Sequence, residues 1–230
     1  IMGQRTNLIV EETLIDKEDK FIARKVFLYH DQWGYGEGML KDAMSYILAK
    51  NSCGFVDKYG DHDENSEIQA PEILFNAFLI NNEWQDEPAR LKVLETTPIN
   101  TVQDVQDIIH GFCDNNNGAI VLKITRDRFG YIQNGRYMLF KGSEDCEEPE
   151  VAFSRVISLS EYEKIWDFTD KEGKFHKVVS KEIISAFRSL CRYYEIKADK
   201  LGTRKPKDPS YADRLKEIEQ KMSSAITPQL

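Results

Sequence analysis

Apolar and polar positions alternate over residues 6–14, TNLIVEETL, setting Leu8, Val10 and Leu14 on one side, and a period of two marks a strand. After the polar, turn-like IDKED at 15–19, residues 21–29, FIARKVFLY, carry β-branched and aromatic side chains on both faces. Together they predict an antiparallel hairpin whose second strand is well buried. The period then changes. From Met39 to Lys50 the apolar positions are 40, 43, 44, 47 and 48, which is helical spacing.

Pro71 and Glu72 open a second helix, PEILFNAFLI, because proline suits the first turn and an acid suits the positive end of the helix dipole. In TPINTVQDVQDIIHGFCDNNNG the stripe Val102, Val105, Ile108, Ile109 and Phe112 gives the clearest helix, with Asn100 or Thr101 to cap it and Gly118 beyond its end. Strand character returns at Ala119. GAIVLKI, FGYIQ and RYMLF predict a meander turning at Asn134-Gly135, a dipeptide that readily takes the positive φ of a tight hairpin. VAFSRVISL reads as another strand, and residues 180–195 as a helix capped by Ser180.

Strands cluster here instead of alternating with helices, so the fold class is α+β with a mainly antiparallel sheet. The order is also compatible with a four-layer α-β-β-α sandwich, the arrangement of amidohydrolases with an N-terminal nucleophile, an analogy of fold alone. Residues 1–198 are expected to form one domain. Residues 199–230 are expected to form a linker, rich in proline and charge at 201–210, and a peripheral helix with the narrow stripe Leu215, Ile218 and Met222.

At 230 residues with 41% hydrophobic and 30% charged content, the chain can bury one substantial core. No stretch approaches the roughly 18 apolar residues of a membrane span. A net charge of −8 argues against a general nucleic-acid binder, which needs a basic face for phosphates. Cys53, Cys113, Cys146 and Cys191 are too dispersed for a zinc ribbon or a disulfide framework. No basic-then-apolar leader is visible near the N-terminus. A cytoplasmic protein is therefore expected, with a small ligand or a protein as partner.

The chemistry concentrates in YHDQWGYGEGM, residues 29–39. Glycines at 34, 36 and 38 allow backbone N–H groups to approach a ligand, and the helix start behind them favours an anion. Trp33 and Tyr35 offer rings for stacking, while His30 and Gln32 can read polar edges. The hairpin brings Gln4 and Arg5 beside this loop, and Arg5 supplies positive charge. The candidate ligand site is thus Gln4, Arg5, His30, Gln32, Trp33 and Tyr35. The competing structural reading makes the rings core anchors, the glycines a tight turn and Arg5 an ion-pair partner of Asp31 or Glu37.

If the chain is an enzyme, His30 would act as general base with Asp31 orienting it. Thr6 would be an odd N-terminal nucleophile, since Arg5 precedes it. A second loop sets Asp61, Asp63, Asn65 and Glu72 at calcium-loop spacing. Ser66 stands where the sharp turn needs glycine, so an acidic solvated loop is the preferred reading; Ca2+ is the alternative, and no other cofactor is expected. His62, His110 and His176 lack metal-ligand spacing. Arg126, Arg128 and Arg136 crowd the meander with Phe129 and Tyr131, which sheet packing explains.

Met2-Gly-Gln-Arg5 followed by Tyr29-His-Asp-Gln-Trp-Gly-Tyr-Gly36 resembles a group of bacteriophage and bacterial mobile-element proteins. These begin M-G-Q-R and carry Y-H-x-Q-W-G-[YF]-G shortly after. The likeness covers about the first 40 residues and implies a phage or prophage accessory protein in the bacterial cytoplasm, without an assigned activity. The expected function is binding of a small anionic, nucleotide-like ligand at the glycine-aromatic loop. The alternatives are a hydrolase, either of the N-terminal-nucleophile-like fold or His-dependent, and an interaction protein docking through residues 201–230.

Overall fold

The computed structural model describes residues 5–31, 34, 36–49, 68, 70–81, 90–95, 98–110, 116–141, 155–199 and 201. The alternation at the start of the chain produces β1 (Arg5–Ile15) and β2 (Phe21–Asp31). They pair antiparallel, with Thr6 opposite Asp31, Asn7 opposite His30 and Leu8 opposite Tyr29. There follow α1 (Glu37–Ile47), α2 (Glu72–Asn81), β3 (Arg90–Glu95), α3 (Val102–His110), β4 (Asn116–Asp127) and β5 (Ile132–Lys141). The last described elements are β6 (Val156–Ile157), α4 (Leu159–Ile165), β7 (Phe168–Thr169), β8 (Phe175–His176), α5 (Lys181–Tyr193) and β9 (Ile196–Ala198).

The architecture is α+β. Seven strands form one mixed, mainly antiparallel sheet in the order β3-β2-β1-β4-β5-β6, with β9 also on β5. β1 is central, and its parallel neighbour is β4. Alternation along the strands divides the core in two. Leu8, Val10, Phe27, Tyr29, Ile120 and Leu122 face α1, α2, α4 and α5. Ile9, Val26, Leu28, Ala119 and Val121 face Val105, Ile108 and Ile109 of α3. Among the described residues the layers are therefore helix, sheet, helix, and the second sheet is the β7-β8 ribbon, so these residues do not make the two-sheet sandwich that the element order also allowed.

Asn134-Gly135 does not make the expected turn. It lies inside β5, with Thr125 opposite Asn134 and Ile124 opposite Gly135. The chain reverses instead at 127–131, where Asp127 Oδ1 accepts from the N–H groups of Phe129 and Tyr131 and so builds the turn from its own side chain. Gly135 serves a different need. β9 crosses it at Ile196, and a Cβ there would stand 2.9 Å from Ile196 Cγ1.

VAFSRVISL also differs from its expected strand: residues 151–154 lie outside the described residues, Val156–Ile157 pairs, and Ser158 then starts α4. Ser158 Oγ accepts from Glu161 N–H while the Glu161 carboxylate accepts from Ser158 N–H, which is a capping box. Ser180 caps α5 as expected, accepting from Ile183 N–H at 3.3 Å. The core continues past residue 198. Asp199 N–H donates to Tyr137 O, and Leu201 is buried with the α3 cluster. No helix among the described residues is long and apolar enough to cross a membrane.

Candidate functional site

The start of β1, the end of β2 and the start of α1 meet at one pole of the sheet. Strand alternation sorts the side chains there onto two faces. On the α3 face, His30 Nδ1–H donates to Asn7 Oδ1 at 3.0 Å, and both residues are buried. On the α1 face lie Thr6 and Asp31, paired across the strands.

His30 and Asp31 are thus turned to opposite faces. For the arrangement expected of an enzyme, with Asp31 orienting His30, the geometry shows instead a hydrogen bond from the imidazole to Asn7, with Asp31 opposite Thr6. Arg5 opens β1, its backbone pairing with Asn116, one residue before Thr6. Gln4, Gln32, Trp33 and Tyr35 lie outside the described residues, as do Asp61, Asp63 and Asn65 of the calcium-like loop and the tail at 202–230. Glu72, the last acid of that loop, begins α2 and pairs with Lys25 Nζ at 3.6 Å.

The α1 face holds what the sequence reading missed. Asp42 is buried, with Asp31 as its charged neighbour. Burial, then the charge of Asp31 and the hydrogen bond to it, push the Asp42 carboxyl up to about 8. Tyr29 lies close enough that Asp42 and Asp31 reinforce the upward shift which burial imposes on its phenol.

Above this pair sits Gly34. A Cβ on it would collide with Thr6 Oγ1 and come within 2.6 Å of Asp31 Oδ2, so Gly34 packs directly on these two side chains. Thr6 Oγ1, Tyr29 Oη and Asp42 Oδ2 are buried and have no hydrogen-bond partner among the described residues.

Gly36 is fixed by packing. Gly36 has a φ of 61°, and a Cβ there would lie 2.7 Å from Val178 Cγ1. Tyr162 Oη donates to Gly36 O at 2.8 Å, and Met39 N–H donates to Gly34 O at 2.8 Å. Glu37 accepts from Ser180 N–H at 2.9 Å and pairs with Lys41 at 3.2 Å; the Ser180 hydrogen bonds hold its carboxyl below the usual range. Asp31, Asp42 and Glu37 make the pole acidic, which opposes a bare anion.

One strand length away, a second buried cluster fixes the other end of α1. Arg126 donates from Nη1 to Gly130 O and from Nη2 to the carbonyls of Tyr46 and Ile47, and its Nε lies 3.3 Å from Glu12 Oε1. Tyr46 Oη donates to Glu12 Oε2 at 3.0 Å. Burial pushes the Glu12 carboxyl up to about 7 against the opposing pull of Arg126 and Tyr46.

A sequence signal for these groups existed. Thr6 and Glu12 share strand parity with Leu8, Val10 and Leu14, and Arg126 with Ile120, Leu122 and Ile124. Asp42 stands between Met39 and Tyr46 on a helical stripe. Polar residues at buried positions carry the information.

No protein-family model, curated protein or solved structure matches the chain.

Proposed function

We propose that the protein binds a small polar ligand at the pole formed by Thr6, Tyr29, Asp31 and Asp42 beneath the glycine loop. The observation that carries this reading is three buried oxygens, those of Thr6, Tyr29 and Asp42, left without a hydrogen-bond partner among the described residues. Each such group costs about 1–3 kcal/mol when left unsatisfied, and several together are a feature that folding stability alone would remove. The acids favour hydrogen-bond donors on the ligand. An anionic group of the nucleotide-like kind expected from the loop fits only if its charge is compensated. The likeness to phage proteins supports an accessory role in a bacterial cytoplasm.

Native mass spectrometry of untreated protein tests this. Wild type should carry an excess of a few hundred daltons that is lost on denaturation. Thr6→Val and Asp42→Asn should lack it while keeping the wild-type circular dichroism. A wild type without excess mass, or an excess that persists in both variants, contradicts the reading.

A hydrolase is the second reading, and it rests on the carboxyl pair in place of His30. Two acids sharing a proton supply a base and an acid in one site. It requires the retained ligand to be converted on incubation, with loss of conversion in Asp31→Asn; an unchanged ligand excludes it.

A further inference from the structure

Charge is unevenly distributed along the chain. Residues 1–170 carry 31 Asp and Glu against 17 Lys and Arg, whereas residues 171–230 carry 14 Lys and Arg against 8 Asp and Glu. Within the second part α5 gives the excess a direction. Its apolar stripe, Ile184, Phe187 and Cys191, is buried in the core, and the opposite surface is exposed. There Lys181, Ser185, Arg188 and Arg192 fall at i, i+4, i+7 and i+11, a spacing that keeps them on one line along a helix. Ala186, Ser189 and Tyr193 run beside that line, and Tyr193 is 79% exposed.

The stability of α5 does not explain this line. Arg192 suits the last turn, but Arg188 stands four residues before it, and like charges at that spacing destabilise a helix. Lys181 opens the first turn, where the helix dipole disfavours a cation. Among the described residues neither arginine side chain forms a hydrogen bond or an ion pair. The charge of Lys181 reaches Glu163, which is already paired with Lys177.

We propose that the exposed face of α5 docks an acidic helix of a partner protein, with Arg188 and Arg192 as charge anchors and Tyr193 closing one end. Charge complementarity fixes the sign of the partner. The small side chains of Ser185, Ala186 and Ser189 let a second helix approach closely, and the line from Lys181 to Arg192 covers about 16 Å, or three turns. Arginine and tyrosine are the residues that protein interfaces concentrate. A nucleic acid or an anionic membrane presents a field wider than α5, which the acids of residues 1–170 repel; a helix laid along the line meets its cations alone. The ligand pole and this face share no residue, so either reading stands without the other.

The test adds a fluorescein-labelled, alanine-based helical peptide, with Glu at i, i+4, i+7 and i+11, to the full-length protein and follows fluorescence anisotropy. Wild type should bind it, less tightly as salt rises, and should prefer it to a peptide of the same composition whose Glu residues are dispersed around the helix. Arg188→Gln and Arg192→Gln should each weaken binding about two- to fivefold. Their melting temperatures should equal or exceed that of wild type, because the like-charge pair is relieved. Lowered melting in both variants would make the arginines structural and overturn the inference. No binding of the patterned peptide, equal binding of the dispersed one, or affinity unchanged in both variants overturns it too. Tighter binding of a DNA duplex or of phosphatidylserine vesicles, or self-association in sedimentation that Arg188→Gln abolishes, would replace the acidic helix with another occupant.

Discussion

Replacing Arg126 by Met should strand a carboxyl in the core. Arg126 is 1% exposed, and its guanidinium has three tasks: it faces Glu12, caps the Tyr46 and Ile47 carbonyls at the end of α1, and holds Gly130 O. Met fills similar volume but does none of these. Breaking a buried pair from one side costs about 3–5 kcal/mol, and Glu12 can reduce that only by taking a proton.

The sign of the pH dependence follows. Glu12 is already raised from 4.5 to about 7 with Arg126 present, and without the guanidinium its folded value rises further. A carboxyl raised on folding contributes stability that is full below its unfolded value and lost as pH climbs through the folded one. The deficit of Arg126→Met should therefore grow from pH 5 to pH 8. Urea unfolding at both pH values, with Glu12→Gln and the double variant, measures this. The double variant should be more stable than the sum of the singles by about 1–2 kcal/mol at pH 8. An Arg126→Met deficit below about 1 kcal/mol at both pH values, or strict additivity, refutes the reasoning.

Three smaller perturbations test the frame. Gly36→Ala meets both a positive φ of 61° and Val178 Cγ1 at 2.7 Å, so it should lose about 2–4 kcal/mol in the same unfolding assay. Gly135→Ala should lose about 1–3 kcal/mol by driving Ile196 from β5, and its combination with Ile196→Ala should cost less than the two separate losses. Ser158→Ala removes the cap of α4 and should lower stability by about 1 kcal/mol, while Ser160→Ala, which leaves the cap in place, should stay near wild type.

The hairpin, α3 and α5 were legible because their apolar periods are unmixed and their ends carry turn or cap residues. Asn134-Gly135 misled, because glycine also serves where another strand approaches closely, and Ile196 is sixty residues away in the chain. α4 was readable in principle from Ser158-x-x-Glu161, but the β-branched run before it dominated the period. The β1–β2 register joining Thr6 to Asp31 follows from the hairpin. Asp42 joins them only when α1 packs across the strand ends, a tertiary fact. His30 next to Asp31 looked like a dyad in sequence, and strand alternation separates the two.

The central claim is that the pole at Thr6, Asp31 and Asp42 holds something other than protein. A high-resolution crystal structure of protein purified without chelator tests it most directly. Density is expected for a bound group within hydrogen-bonding distance of the Asp42 carboxyl and the Thr6 hydroxyl. Two carboxyls hydrogen-bonded only to each other, with Thr6 Oγ1 and Tyr29 Oη satisfied by protein atoms, would contradict it.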